Sequence, residues 1–223
     1  PDISYAVSQV AKFCENPGPL HWEAVIRIFR YLHQTNQYCI MFTRCDPTPS
    51  SITPMLFDSG SIDFEAVHIE FHPKAFSDSD LSRDVDTRRS VTGYIFFLAS
   101  GPIIWCSKLQ ECVALSSMEA EYISACAAAQ EALWLLRLLR ELRCLFQLPF
   151  QLMQDNQSCI YLSASPHDHP KSKHIDRKYH FVRDLVLEGT LILKKIATAE
   201  NTADIFTKPL DRQPFQYHRG NML

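Results

Sequence analysis

The chain has 223 residues, of which 46% are hydrophobic and 21% charged, and its formal net charge is −3. This composition is ordinary for a soluble globular protein, and the net charge excludes bulk attraction to nucleic acid, so any such binding requires a local basic face. The eight cysteines are scattered without a CxxC pair, which argues against a zinc site or a disulfide framework and favours a reducing, intracellular setting.

Two helices are predicted in the first 37 residues. Apolar residues recur at helical spacing from Ile3 to Val10 and again from Trp22 to Leu32, and a Pro/Gly break separates the two runs. Such a pair is too short to bury a core of its own and must pack on something else. Residues 39–42 are predicted to form a short strand. The Pro/Ser-rich stretch from Cys45 to Ile69 is predicted to be a linker.

From residue 70 onward, strands and helices alternate. The predicted strands, rich in β-branched and aromatic residues, are 69–76, 90–99, 103–107, 150–154 and 190–196. The predicted helices are 116–143, 157–163, 173–187 and 202–208, followed by a polar tail from 209 to 223. This order predicts an α/β fold in which helices flank a mixed five-stranded sheet.

The long helix organises this part of the chain. It contains no Gly or Pro, and Ser116 with Glu119 has the spacing of a capping box, so the helix is predicted to begin there. Its first turns carry two carboxylates, Glu119 and Glu121.

Four acids occupy equivalent places in this layout, at strand ends or helix starts, and they are Asp78, Glu119, Asp155 and Asp204. Such positions meet at one edge of an α/β sheet, where carboxylates would raise each other's pKa unless a cation neutralised them. Mg²⁺ is the first candidate, and two such ions can clamp the attacking and leaving oxygens of a phosphodiester. Each acid also has a structural explanation, as a helix cap, a partner of a helix dipole or a solvated turn residue.

Several motifs resemble a known family. AFSDSD (75–80), DTRRSVTGYIFFL (86–98), SSMEAEY (116–122), DNQSCIYL (155–162), KHIDRKYHFVRDLV (173–186) and NTADIFTKPL (201–210) resemble the ribonuclease H domain of Pol polyproteins from copia-type LTR retrotransposons. Residues 1–35 resemble the end of the preceding reverse transcriptase. The resemblance implies a ribonuclease H-like fold at 70–210, preceded by a helical reverse-transcriptase remnant at 1–45 and a linker at 46–69, and followed by a tail at 211–223.

The resemblance also implies an activity, namely metal-dependent hydrolysis of the RNA strand of RNA–DNA hybrids during reverse transcription. Asp78, Glu119, Asp155 and Asp204 become the catalytic, metal-binding acids, with two Mg²⁺ ions or Mn²⁺ in their place. Asp80 and Glu121 become supporting residues beside them. The implied partners are the hybrid and the rest of the polyprotein, especially reverse transcriptase, with no membrane. The implied location is cytoplasmic, in a virus-like particle, or nuclear, and not secreted.

Basic residues in this region fit contacts to a nucleic-acid backbone, which position a substrate without reading its sequence. Those predicted to bind are Arg88, Arg89, Lys108, Lys173, Arg177 and Lys178. A solvated helix face is the structural alternative, because acidic residues are interleaved with them. Pro1 stands where an initiator Met would, no signal peptide is visible, and no apolar run is long enough to span a bilayer. A piece of a longer translation product is therefore expected.

The sequence also departs from the family. After the first acid the family has an aromatic residue followed by Ala-Gly-Asp, whereas this chain has Leu81-Ser82-Arg83-Asp84. Arg83 would obstruct the turn if that position required a positive φ. These departures leave open a non-catalytic relic that folds and at most binds nucleic acid weakly. A separate alternative is an interaction module in which the N-terminal helices dock on a partner. No reverse-transcriptase active-site motif is present, so polymerisation by this chain is excluded.

Overall fold

A five-stranded mixed sheet forms the centre of the protein. The computed structural model describes residues 1–43, 70–71, 73–164 and 176–223. Within these residues the strands are β1 (Glu70–Phe71), β2 (Lys74–Asp80), β3 (Val91–Leu98), β4 (Gly101–Leu109), β5 (Leu145–Phe146), β6 (Phe150–Gln154) and β7 (Leu191–Lys195). The main sheet has the order β4-β3-β2-β6-β7, while β1 and β5 form a separate short parallel pair. The predicted mixed five-stranded sheet is confirmed.

The sheet combines two kinds of strand pairing. β2, β3 and β4 are antiparallel neighbours, and β3 turns into β4 through Ala99 and Ser100, whose φ values of 50° and 65° suit a two-residue hairpin turn. β6 and β7 run parallel to β2 and to each other. The parallel half therefore brings the carboxyl ends of β2 and β6 to the same edge of the sheet.

Helices cover the sheet on both faces. They are α1 (Ser4–Ala11), α2 (Pro19–Gln34), α3 (Ser117–Glu141), α4 (Gln157–Ala164), α5 (Asp176–Leu187) and α6 (Arg212–Gly220), with 3₁₀ turns at Thr198–Glu200 and Thr202–Phe206. α3 lies close to the sheet because small residues such as Ala125, Ala128 and Ala132 face the core. A second, smaller core joins Ile95 of β3 to Phe206 and Met222. The α/β architecture predicted from the alternating pattern is confirmed.

Four predicted elements differ from the structure. In place of the strand predicted at 69–76, the short β1 and the longer β2 form, and β2 continues to Asp80. Residues 39–42 form no strand, although the Thr43 N–H donates to the Ala99 carbonyl at 2.9 Å. The predicted helix 202–208 is a 3₁₀ turn. The tail predicted after residue 209 is wrong, because α6 forms there and buries His218, and Met222 is buried just beyond it.

The two N-terminal helices lie against the sheet domain through polar contacts. No residue of these two helices, both fully described, is buried. Lys12 Nζ lies 2.5 Å from Asp84 Oδ2, and the Ser8 and Ser107 hydroxyls are 3.2 Å apart. Arg219 of α6 donates to the Tyr31 hydroxyl at 3.3 Å. The predicted linker at 46–69 lies outside the described residues, and none of the described helices has the length and hydropathy needed to cross a membrane.

Candidate metal site

Three carboxylates meet at the edge of the sheet. Asp78, Glu121 and Asp155 each offer an oxygen within 4.8 Å of the others. Asp78 lies near the end of β2, Asp155 directly follows the parallel strand β6, and Glu121 lies in the second turn of α3, which packs across both strands. Strand ends and helix starts at one edge of a sheet form the cleft in which α/β proteins bind ligands.

The structure brings Glu121 into this group, and not the predicted Glu119. Glu119 is the third residue of α3, where its Oε2 accepts from the Leu115 N–H at 3.0 Å and its own N–H donates to Ser116 Oγ at 3.2 Å. The bond to Ser116 Oγ is the N-cap contact of a capping box, and the Glu119 carboxylate reaches back to Leu115, the residue before the cap. Two residues along a helix correspond to a rotation of about 200°. The side chains of Glu119 and Glu121 therefore point to opposite sides of α3, and only that of Glu121 points to the acid group.

Asp204 is linked to the group through a lysine. The Lys208 ammonium lies 3.0 Å from Asp204 Oδ2 and 3.9 Å from Asp78 Oδ2. Thr207 Oγ1 donates to the same Asp78 oxygen. Gly93, which pairs with Asp78 across the β2–β3 ladder, makes room for this contact, because a Cβ there would lie 2.5 Å from Thr207 Cγ2.

Asp78, Glu121 and Asp204 hold their protons more tightly than ordinary carboxyl groups. Burial, followed by the charge of Asp204, raises the pKa of Asp78 to about 8. Burial, followed by the charges of Asp78 and Asp155, raises the pKa of Glu121 to about 9. Burial also raises the pKa of Asp204, against the opposing effect of Lys208. The rise expected of crowded acids is therefore present, with burial as its larger cause.

The free oxygens of the pocket suit a hard cation. Glu121 Oε2 and Asp204 Oδ1 are buried and have no hydrogen-bond partner within the described part of the chain. An unpaired buried carboxylate oxygen is costly, and a divalent cation with oxygen ligands removes that cost. Mg²⁺ binds proteins through a few carboxylates and keeps waters in its remaining positions. The donor set of Asp78, Glu121 and Asp155 therefore fits such an ion.

Neutral side chains hold the acids in place. The Ser124 hydroxyl donates to the Asp78 carbonyl at 2.6 Å. Gln154 accepts from the Asp155 N–H at 2.8 Å and also hydrogen-bonds the Glu121 carboxylate. Sequence reasoning singled out neither of these residues, nor Thr207 and Lys208. The signal for Lys208 was its position four residues after Asp204, where helical turns bring side chains together.

The other predicted residues are more dispersed. Asp80 Oδ2 lies 3.4 Å from Arg83 Nε, and Ser82, not Arg83, adopts the positive φ of 52° in the turn. Arg83 therefore does not obstruct this turn. Of the residues predicted to bind nucleic acid, Arg88 and Lys108 are exposed and Arg89 is half-buried. Lys173 lies outside the described residues, and the side chains of Arg177 and Lys178 on α5 are not described.

Fold and pocket together define a ribonuclease H-like α/β protein with an acidic pocket at its sheet edge. Over nearly its whole length the chain is similar to retrovirus-related Pol polyproteins of plant copia-type transposons. It is 42% identical over 216 residues to the Pol polyprotein of transposon TNT 1-94 from Nicotiana tabacum, and 35% identical to that of transposon RE2 from Arabidopsis thaliana. Each match covers 97% of this chain, which spans only 13–14% of the length of these relatives.

The chain was also compared with protein-family models and with solved structures. No protein-family model matches the chain. Among solved structures, LC11-RNase H1 isolated from compost superimposes with a TM-score of 0.46 and 14% identity, over 60% of this chain and 91% of that one.

Proposed function

We propose that this chain is a divalent-metal-dependent ribonuclease that hydrolyses the RNA strand of RNA–DNA hybrids. The observation that supports this most directly is the convergence of Asp78, Glu121 and Asp155 from three separate elements. Each acid taken singly has a structural explanation, but three buried or half-buried carboxylates with an unpaired oxygen do not stabilise a fold. In the polyprotein, this activity would accompany reverse transcription.

The chain's own residues supply the ligands and their orientation. Asp78, Glu121 and Asp155 would hold Mg²⁺, or Mn²⁺ in its place, with Asp204 adjacent to Asp78. When bound, the divalent ions would lower the pKa of an attacking water and stabilise charge on the departing oxygen. Ser124 and Thr207 fix Asp78 from its backbone and its carboxylate, and Gln154 fixes Asp155 and Glu121. Fixed ligands of this kind are what in-line displacement requires.

The proposed substrate is recognised through its backbone. Arg88, Arg89 and Lys108 lie on the β3 approach and on β4, the edge strand of the sheet, and with the basic residues of α5 they would contact phosphates. A hybrid differs from DNA by its shape and its 2′-hydroxyls, which such contacts can follow without reading bases. The rest of the polyprotein, above all its reverse transcriptase, would be the protein partner.

Incubation of the purified chain with an end-labelled RNA–DNA hybrid tests the proposal. Cleavage of the RNA strand is expected with Mg²⁺ or Mn²⁺, and it should stop with EDTA or with Asp155→Asn. The matched control is Asp86→Asn, which removes an exposed acid outside the pocket. Cleavage that survives Asp155→Asn would refute the assignment. Absent cleavage with salt-sensitive hybrid binding would instead identify a non-catalytic relic.

A further inference from the structure

A lysine ammonium already occupies part of the acidic pocket. Lys208 Nζ contacts both Asp204 Oδ2, at 3.0 Å, and Asp78 Oδ2, at 3.9 Å, and its side chain is only 30% exposed. Asp78 Oδ2 also accepts the Thr207 hydroxyl. This oxygen therefore has one hydrogen-bond donor, Thr207, and one ion-pair partner, Lys208. Glu121 Oε2, in contrast, is buried and has no hydrogen-bond partner within the described residues.

The two sides of the pocket therefore differ in charge. Within the described residues, the ammonium that forms an ion pair with the group of Asp78, Glu121 and Asp155 is that of Lys208, and it does so at Asp78. On the side shared by Asp78 and Asp204, the lysine supplies a positive charge. A divalent ion that bridged Asp78 and Asp204 would lie within a few ångströms of this ammonium, and like charges at that distance in a poorly solvated pocket repel strongly.

We propose that Lys208 is a built-in counter-cation that keeps a second divalent ion out of the Asp78–Asp204 side of the free protein. The inference rests on the ion site of the proposed function and specifies how many ions that site holds. The free chain binds one ion tightly, at Asp78, Glu121 and Asp155. A second ion binds only after Lys208 has moved away, which its flexible four-carbon side chain allows.

A Mn²⁺ titration followed by electron paramagnetic resonance of the free ion measures this stoichiometry without reference to activity. The wild-type chain is expected to bind one Mn²⁺ tightly and a second far more weakly. Lys208→Met and Lys208→Gln should each strengthen the second binding step roughly 10- to 100-fold, the range typical of residues that neighbour a metal site. Lys208→Arg keeps the charge and should keep the wild-type stoichiometry.

A second lysine provides the matched control. Lys74 Nζ lies 4.8 Å from the centre of the Phe76 ring, is exposed and has no carboxylate among its contacts with the described residues. Lys74→Met should leave both binding steps unchanged. An equal gain in this variant would mean that overall charge, not Lys208, controls the second step, and the inference would fail. It would also fail if the wild-type chain bound two ions with similar affinity, or if both neutral Lys208 variants left the second step unchanged.

Failure of the proposed function has a different signature. In that case the tight Mn²⁺ site would be missing from the wild-type chain and all variants, or would survive Asp155→Asn. Circular dichroism melts of each variant establish that it is folded before titration. Because Met, Gln and Arg differ in polarity and charge, the loss of one variant to misfolding leaves the others to decide the outcome.

Discussion

Two buried aspartates six residues apart, Asp78 and Asp84, have opposite electrostatic environments. Asp84 is 7% exposed, and its carboxylate contacts Lys12 at 2.5 Å and the Thr87 N–H and hydroxyl at 2.9 Å each. These bonds, with that to Lys12 the strongest, lower the pKa of Asp84 to about 2. Asp78 is 2% exposed, and its pKa is raised to about 8.

Asp78 and Asp84 differ in pKa because their partners differ, and not because one of them is more exposed. Asp84 has an ammonium and two donors, so its charge is stabilised and it ties α1 to the turn before β3. Asp78 has one hydroxyl donor and a more distant ammonium, and its other neighbours are acids. A carboxylate whose partners satisfy it has a structural role. One whose neighbours repel it keeps a proton or takes up a cation, and a carboxyl group with such a raised pKa is typical of functional sites.

The largest expected effect separates two glutamates of the same helix. Glu121→Gln is expected to lower hybrid cleavage by more than the roughly 10- to 100-fold that loss of a ligand's supporting residue costs. Glu119→Gln keeps an acceptor for the Leu115 N–H, and should retain cleavage while losing about 0.3–1 kcal/mol of stability at the helix start. Initial cleavage rates and urea denaturation of both variants measure this.

The reverse pattern, in which Glu119→Gln abolishes cleavage and Glu121→Gln does not, would restore the assignment made from sequence. A loss of cleavage in both variants, with both folded, would mean that the site requires both glutamates. The pair is well matched, since both substitutions exchange a carboxyl group for an amide in buried glutamates two residues apart.

The next effect concerns the dependence of stability on pH without metal. For Asp78 the pKa rises from 3.8 unfolded to about 8 folded, and for Glu121 from 4.5 to about 9. Between these values the folded state binds more protons than the unfolded state, so the free energy of unfolding should fall as pH rises from about 4 to about 9. Asp84 acts oppositely, and its contribution should be lost as pH falls through its pKa of about 2.

Thermal melts in EDTA and in Mg²⁺ across this pH range check the prediction. The increase in melting temperature caused by Mg²⁺ should be larger at pH 9 than at pH 5, because protons compete with the ion for the same oxygens. A Mg²⁺ effect independent of pH would contradict it. In Asp78→Asn, which keeps an acceptor for Thr207, the downward slope in EDTA should be smaller.

Regular patterning made most of the fold predictable from sequence. Strand 150–154 has the predicted bounds, and α3 begins at its predicted cap, Ser116, because periodicity and capping are local properties. The α6 helix was missed because its mean composition is polar. The spacing of Phe215, His218 and Met222, at intervals of three and four, was the signal for an amphipathic helix.

The site was less predictable, because it depends on which side of a helix faces the sheet. Glu119 and Glu121 are close in sequence, and the capping-box spacing already gives Glu119 a complete local role. Glu121 continues the buried stripe through Ala125, Ala128 and Ala132, which was the available indication. The i,i+4 spacing indicates the contact of Lys208 with Asp204, but its contact with Asp78 could not be predicted, since it depends on how the 3₁₀ turn packs against β2.

A smaller effect is expected from filling the space opposite Asp78. A Cβ at Gly93 would lie 2.5 Å from Thr207 Cγ2 and 2.9 Å from Phe206 Cβ. Gly93→Ala should therefore destabilise the protein by about 1–3 kcal/mol and displace the Thr207 hydroxyl from Asp78. The control is Gly220→Ala, where no atom lies within 4 Å of the added Cβ. Equal urea midpoints for the two variants would contradict the packing around Asp78.

The smallest effect is expected from removing the ion-pair partner of Asp84. Lys12→Met removes the ammonium from Asp84 but leaves both bonds from Thr87, so a loss of about 0.2–1 kcal/mol is expected. The pKa of Asp84 should rise toward its ordinary value, and two-dimensional NMR titration of its carboxyl carbon measures this directly. Because part of the pair is exposed to solvent, high salt should reduce the difference between wild type and variant. A difference that salt does not change, with an unshifted pKa, would mean that Lys12 stabilises the protein through its aliphatic chain, and Asp84 would then owe its low pKa to Thr87.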